Sequence, residues 1–350
     1  MKSITIIFPD DWHCHFRDEV YLSRSVHDSA QRFARAVVMP NLKPPISTVK
    51  EAEAYRERIL KHIPNAYDFT PLMALYFGEK TTEAILREAA ANPQIIGAKL
   101  YPAGVTTNSS YGIHSIRNAY PLLEVMEDCG FPLLVHGESN DPHADVFDRE
   151  ALFIDSELTS IVKHFPKLRI VLEHISTKAA VDFILSAPST VAATITPHHL
   201  VLNRNHLLDD GIRPHYYCKP ILKRRYDQEA LLAAATSGHP KFFLGTDSAP
   251  HSIANKESAC GCAGVYSAHA ALEIYAGIFE EQKALDKLEN FSSRYGAEFY
   301  GLPVNTRQIT LHKKEWAVPS TLAFGHEQLV PLFANEKLQW QIEGLPYTHE

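Results

Sequence analysis

Two histidines one residue apart, His13 and His15, lie in the segment Trp12-His13-Cys14-His15-Phe16-Arg17. On an extended backbone, residues i and i+2 project to the same side, so two imidazoles can address one point. The ending recurs downstream, where a short apolar run is followed by a metal-capable side chain. Lys99 follows Ile95-Ile96-Gly97-Ala98, and His136 follows Pro132-Leu133-Leu134-Val135. His174 follows Ile170-Val171-Leu172-Glu173, and Asp247 follows Phe242-Phe243-Leu244-Gly245-Thr246. Imidazole suits zinc and similar divalent metals, and a carboxylate completes such a site. Four histidines and one aspartate exceed what a single catalytic tetrahedral zinc with an open position requires. Two cations with a shared bridge use them all. Burial beside cations pushes a lysine toward its neutral amine, and a neutral amine reacts with CO₂ to give a carbamate with one oxygen for each metal. Two divalent cations set against Asp247, the carbamate and a bridging hydroxide leave the site about one charge positive, which favours an anionic substrate.

These positions converge only if their runs are parallel strands of one sheet. Eight short apolar runs, at 4–8, 34–39, 68–76, 95–101, 132–136, 169–174, 190–196 and 242–246, are mostly continuous rather than alternating, as befits strands covered on both faces. Helical spacing marks 48–61, 79–91, 116–129, 150–164, 177–187, 225–237, 265–283 and 285–299. Asp155-Ser156-Glu157 and Ser176-Thr177 read as helix N-terminal caps. Eight strand–helix alternations predict an α/β fold, a (β/α)8 TIM barrel with chemistry at the C-terminal strand ends. An open doubly wound sheet would not gather residues from five such ends into one pocket. Residues 1–350 read as a single hydrolase domain, with the barrel over about 1–300. Residues 301–350, with strand-like pieces at 308–311 and 338–342, read as a C-terminal extension.

The 350 residues are 45% apolar with a net charge of −7, so there is no basic footprint for nucleic acid or an anionic membrane. The first apolar run is too short for a signal-peptide core and no run approaches a membrane span, so a cytoplasmic location is expected. Five cysteines lack disulfide-framework spacing, which fits a reducing compartment. Cys260-Gly-Cys262 has no second pair nearby to make a metal site and reads as loop thiols. Lys223-Arg224-Arg225 reads as a solvated helix start. The remaining histidines, His198-His199 among them, take no role.

Asp11-Trp12-His13-Cys14-His15-Phe16-Arg17-Asp18, Met39-Pro40-Asn41, Gly97-Ala98-Lys99-Leu100-Tyr101-Pro102, Leu134-Val135-His136-Gly137-Glu138, Leu172-Glu173-His174 and Gly245-Thr246-Asp247-Ser248-Ala249-Pro250-His251 resemble the dihydroorotase family, in its shorter bacterial-type (class II) branch of the amidohydrolase superfamily. The likeness runs from about residue 4 to past 300, with the motifs in the family's order. It implies reversible closure of N-carbamoyl-L-aspartate to L-dihydroorotate in pyrimidine biosynthesis. It implies two Zn²⁺ per subunit, one held by His13, His15 and Asp247 and the other by His136 and His174, bridged by N6-carboxylated Lys99. It further implies attack by a metal-bridging hydroxide with Asp247 shuttling the proton. Arg17, Asn41 and His251 would grip the substrate carboxylate, Thr106 and Thr107 would touch it from a closing loop at 103–110, and contacts at Lys219 and Ala263 would complete the pocket. Where the family typically has leucine before Pro220, this chain has Lys219. A main-chain contact there survives that change; side-chain recognition does not. A homodimer is expected from the same resemblance.

Two alternatives stand beside this reading. Another cyclic amide hydrolase, of hydantoinase or allantoinase type, usually carries a small β-domain built partly from a segment before the barrel, which a barrel starting near residue 4 lacks. A barrel serving only as a scaffold would be expected to have lost ligands, and here all six positions are intact.

Overall fold

The computed structural model describes residues 2–109, 111–209, 211–259 and 261–347. The first apolar run forms β1 (Ser3–Ile7), yet it is not a barrel strand. The barrel begins one strand later, with β2 (Asp10–Cys14), so His13 stands within a strand rather than after one. Pro9 separates the two strands and cannot donate to a ladder, which breaks what reads in sequence as one entry into the barrel. From β2 the parallel strands follow in order: β3 (Arg35–Val38), β4 (Thr70–Phe77), β5 (Ile95–Leu100), β6 (Leu133–Val135), β7 (Ile170–Leu172), β8 (Val191–Ile195) and β9 (Phe242–Leu244). The last meets the first where the Asp247 amide donates to His13 O at 2.8 Å and the His15 amide to Ser248 O at 3.0 Å. The result is a (β/α)8 barrel. Gly245 permits that closure, because a Cβ there would stand 2.7 Å from Thr194 Cβ and 3.1 Å from His13 Cβ.

Strand parity decides which side chains enter the barrel. Val37, Leu72, Leu134, Val171 and Phe243 fill the interior, while Val38, Leu133, Val135, Ile170 and Leu172 face the helices. Trp12 stacks on Tyr300 at 4.8 Å within the interior cluster. Lys99 pairs in register with Leu134, and Leu134 with Val171, so Lys99 shares the inward direction. Two residues further on, the next inward positions are His136 and Glu173.

The helix Val49–Leu60 starts at Thr48 in a capping box with Glu51, and Thr177 caps Lys178–Ser186 by accepting the Ala180 amide, both at sequence-predicted starts. Asp155-Ser156-Glu157 caps nothing. It lies inside an unbroken helical stretch from Arg149 to His164 in which Ile154–Leu158 widens to π-type turns. No glycine or proline interrupts that stretch, and Asp155 and Ser156 face solvent on its outer side. The 265–283 window is helical only over Ala271–Glu281, and 285–299 breaks into short 3₁₀, π and α segments.

The C-terminal residues form β10 (Gln308–Ala317), the hairpin β11 (Leu322–Phe324) and β12 (Glu327–Leu329), and β13 (Lys337–Ile342). Strand β10 lies between β1 and β13 in one antiparallel sheet. The N-terminal run therefore belongs with the last strands. A small antiparallel sheet is thus present, so lack of a β-segment does not set this chain apart from hydantoinase-type enzymes.

Candidate metal centre and substrate pocket

At the C-terminal mouth of the barrel, every candidate ligand is buried. His15 Nε2 lies 3.0 Å from Asp247 Oδ1 and His13 Nε2 lies 3.4 Å from the same oxygen. His136 Nδ1 stands 3.3 Å from His174 Nε2. The His13 ring centroid is 4.9 Å from that of His174, which is 4.8 Å from that of His136. Ligand atoms about 2 Å from a tetrahedral zinc are themselves separated by roughly 3.3 Å, so both sets fit a cation at their centre. Lys99 Nζ is fully buried with no hydrogen-bond partner, as are His15 Nδ1 and His174 Nδ1. An orphaned ammonium in a dry site is costly, a cost that ligation of this nitrogen in an uncharged or anionic form would remove. The residues fit two divalent metals.

The remaining nitrogen of two ligands is fixed by a carboxylate. His13 Nδ1 lies 3.0 Å from Glu173 Oε2, and His136 Nε2 lies 2.7 Å from Glu138 Oε2. Such partners orient the ring and raise its basicity. Glu173 in turn accepts from Thr194 Oγ1 at 2.5 Å, and the Thr194 hydroxyl oxygen accepts the His174 amide at 2.7 Å. Asp11 ties the barrel seam, accepting from the Thr246 amide (2.8 Å), the Thr246 hydroxyl (2.6 Å) and the His13 amide (3.1 Å). Arg17, His174 and Asp247 adopt φ of 64°, 43° and 43°. Such left-handed conformations cost of order 1 kcal/mol each and cluster at functional sites.

Burial lowers Lys99 to about 8 and His15 to about 4. Burial and the nearby Lys99 hold His174 well below the usual imidazole value. Burial opposes charge on His13, yet the carboxylates of Glu173 and Asp247 raise it overall. Burial likewise opposes ionised Asp247, but bonds from His13 and His15 outweigh it and keep the carboxyl well below its ordinary range. Neutral His15 and His174 beside an ionised Asp247 are the protonation states metal binding needs, whereas the raised His13 must give up its proton when a cation binds.

His13, His15, Arg17, Asn41, Thr106, Thr107, His136, His174, Lys219, Asp247 and Ala263 line one pocket, which Tyr101, Ala249 and Gly264 complete. Arg17 Nε donates to Pro250 O at 2.9 Å and its Nη2 meets His251 Nε2 at 2.8 Å. His251 Nε2 also lies 3.0 Å from Ala263 O. The loop at 103–109 folds over the mouth: Asn41 Nδ2 donates to Thr107 O (3.2 Å) and Asn108 Nδ2 to Asn41 O (2.8 Å). Ser110, the last residue of the predicted closing loop, lies outside the described residues, as does Cys260 of the Cys260-Gly-Cys262 pair. Lys219 lines the pocket with its ammonium lowered by burial and favoured by Glu138. Sequence reasoning passed over Asp11, Glu138, Glu173, Thr194, Tyr101 and Thr246. A usable signal existed for Glu138, a carboxylate two residues from the histidine whose other nitrogen it meets; Glu173, though next to His174, serves His13 instead.

The family model for the amidohydrolase family matches residues 4–318. The chain is 59% identical to the dihydroorotase of Coxiella burnetii over 344 residues, covering 98% of this chain and 99% of that one. Its structure superposes on a dihydroorotase from Campylobacter jejuni with a TM-score of 0.90 at 40% identity, covering 97% of each chain. A Saccharomyces cerevisiae dihydroorotase in complex with 5-fluoroorotic acid matches with a TM-score of 0.90 at 33% identity, over 100% of both chains.

Proposed function

The chain belongs to the dihydroorotases of the amidohydrolase family, and from that premise we propose a residue-level account of its catalysis. It is a cyclic amidohydrolase that interconverts N-carbamoyl-L-aspartate and L-dihydroorotate. The hydantoinase-type alternative gives way to this reading, because identity to dihydroorotases extends over nearly the whole chain. A scaffold role gives way on the same ground.

His13, His15 and Asp247 would hold one divalent cation and His136 and His174 the other, with Lys99, once carboxylated, as the ligand shared between them. Zinc is the cation this donor set suits. When bound, such cations would supply Lewis acidity toward the ring carbonyl and a water of lowered pKa. The protein's own groups do the rest. Asp247 accepts the proton given up by the attacking water and passes it to the departing ring nitrogen, and in ring closure the order reverses. Arg17, fixed through Pro250 O, offers its guanidinium to the substrate carboxylate, an arrangement lysine cannot match. Asn41 and His251 flank it. Thr106 and Thr107 close the pocket from above, and a closed pocket excludes water and strengthens every charge interaction within it. Lys219 and Ala263 also line the pocket, Ala263 beside His251 and Thr107.

The observation that carries this account is the gathering of six buried metal-capable side chains at the barrel mouth, five of them lining one pocket with Arg17. No helix of the described residues is long and apolar enough to cross a membrane. A cytoplasmic homodimer acting on a small-molecule substrate follows from the family reading, and light scattering at micromolar concentration checks the dimer. The deciding assay is hydrolysis of L-dihydroorotate against hydantoin and allantoin, with and without chelator. Chelator-sensitive turnover of L-dihydroorotate is expected, and faster turnover of hydantoin would overturn the assignment.

A further inference from the structure

Beyond the six ligands, a second group among the described residues brings metal-capable atoms together. His198, His199 and Cys218 place one ligand atom each within 4.8 Å of one another. All three side chains are buried. His198 and His199 sit on the short helix Pro197–Val201 that follows β8, and their ring centroids are 4.6 Å apart. Cys218 Sγ stands 3.9 Å from His199 Nε2. Most buried polar atoms have a partner, yet neither ring nitrogen of His198 has a hydrogen bond among the described residues. Sequence alone assigns the pair no role, and the catalysis above uses neither histidine.

We propose that His198, His199 and Cys218 form a third metal site, for a thiophilic divalent cation such as Zn²⁺ or Cd²⁺, in the wall behind the substrate pocket. Two imidazoles and one thiolate are the donors such ions prefer, and three protein ligands leave a fourth position open. Ligand atoms around zinc stand roughly 3.5 Å apart, so Cys218 Sγ and His199 Nε2, 3.9 Å apart, need little movement and the full set must close by at most about 1.3 Å from its 4.8 Å span. The present hydrogen bonds allow the exchange. His199 Nε2–H donates to Pro220 O at 2.9 Å, and Thr196 Oγ1 meets His199 Nδ1 at 2.8 Å. The Cys218 thiol also donates to Pro220 O, at 3.2 Å. On binding, the metal–sulfur bond replaces the S–H bond and one proton leaves to solvent. The His199 proton moves from Nε2 to Nδ1, where Thr196 Oγ1 accepts it, and Nε2 donates its lone pair to the metal. No oxidant or reductant is needed. Burial pushes the free Cys218 thiol up to about 12, so the metal-free site is neutral and the proton released is stoichiometric.

The location gives the site a consequence. Lys219, next in sequence to Cys218, lines the substrate pocket. A cation on Cys218 would tie the backbone that carries Lys219 to the helix after β8. Excess metal should then act on substrate binding through this wall.

The test is a Cd²⁺ titration of the holoenzyme, after its resident metals are saturated and free metal is removed. One further Cd²⁺ per chain is expected, with a thiolate-to-cadmium charge-transfer absorption and one proton released. Cys218→Ser should abolish the absorption, His198→Gln should weaken binding at least tenfold, and Cys262→Ser should change neither. The absorption reports sulfur alone, and the pocket ligands contain none, so failure of the binuclear assignment and failure of this one give different results. Absence of the extra equivalent overturns the proposal, as does an absorption that survives Cys218→Ser. If Cys218→Ser does not fold, unchanged affinity in His198→Gln overturns it instead.

Discussion

Lys99 is the residue whose state can be tested most directly. Burial takes it from 10.5 to about 8, a cost to its charged form of about 3 kcal/mol. At pH 7 a lysine with the lower value is neutral in about one molecule in ten, against about one in 3,000 for an ordinary lysine. Only the neutral amine attacks CO₂, so the fold raises the reactive population about 300-fold. The perturbation is removal of metal by chelator in CO₂-free buffer, followed by return of Zn²⁺ at a fixed concentration of dissolved CO₂. Recovery of L-dihydroorotate hydrolysis is followed over time, with the mass gain of one CO₂ as a second measure. The recovery rate should rise about tenfold from pH 6 to pH 7 and level off above about pH 8, as the amine becomes fully neutral. A rate that climbs tenfold per pH unit through pH 10 would mean an unperturbed lysine and refute the burial argument. Recovery independent of CO₂ would refute the carbamate. Lys99→Ala should take up no CO₂, lose the second metal and lose nearly all turnover.

Three further outcomes are expected. Asp247→Asn should keep substantial metal by elemental analysis while turnover falls about 10²- to 10⁴-fold, the usual range for losing a positioned acid–base group; near-normal turnover would remove Asp247 from proton transfer. Arg17→Lys should raise KM for L-dihydroorotate about tenfold to a hundredfold, the equivalent of one hydrogen bond to a charged group, and an unchanged KM would place the carboxylate elsewhere. Glu150 is buried beneath the turn after His174, accepting from the Ser176 amide and hydroxyl at 2.9 and 3.1 Å and from the Thr177 hydroxyl, and burial raises it from 4.5 to about 7. With the folded value above the unfolded one, its contribution to stability is full below pH 4.5 and is lost as pH rises through 7. The loss is about 2.5 kcal/mol between pH 5 and pH 8. Glu150→Gln cannot ionise and should lack that fall in urea denaturation; equal pH slopes in the two proteins would contradict the assignment.

The site was legible because barrel geometry makes strand ends equivalent. Once Lys99, His136, His174 and Asp247 each follow an apolar run, one mouth is the only place they can meet. The pairing of Lys99 with Leu134 and of Leu134 with Val171 is the physical form of that inference. The exchange of β1 for a barrel strand was not legible, because a five-residue apolar run carries no mark of which partner it will find. Its partner, β10, lies three hundred residues away, and Thr5 meets Thr310 across the pair. The Asp155-Ser156-Glu157 stretch misled for a related reason: polar residues that would cap an isolated helix serve equally well on the wet face of a longer one. Asp11 and Thr246 escaped notice because their value lies in a contact between the first and last barrel strands, which neither local sequence contains.

That β1–β10 pairing also bears on how the molecule is made. A ribosome adding roughly 5 to 20 residues per second needs about 15 to 60 s to cover the interval between Thr5 and Thr310, a separation of 305 positions. Throughout that time the leading segment Ser3–Ile7 has no ladder to join, and its exposed edge is open to pairing with a neighbouring nascent chain. Emergence of β10 is therefore the event that covers Ser3–Ile7, and deleting that strand would leave the segment unprotected.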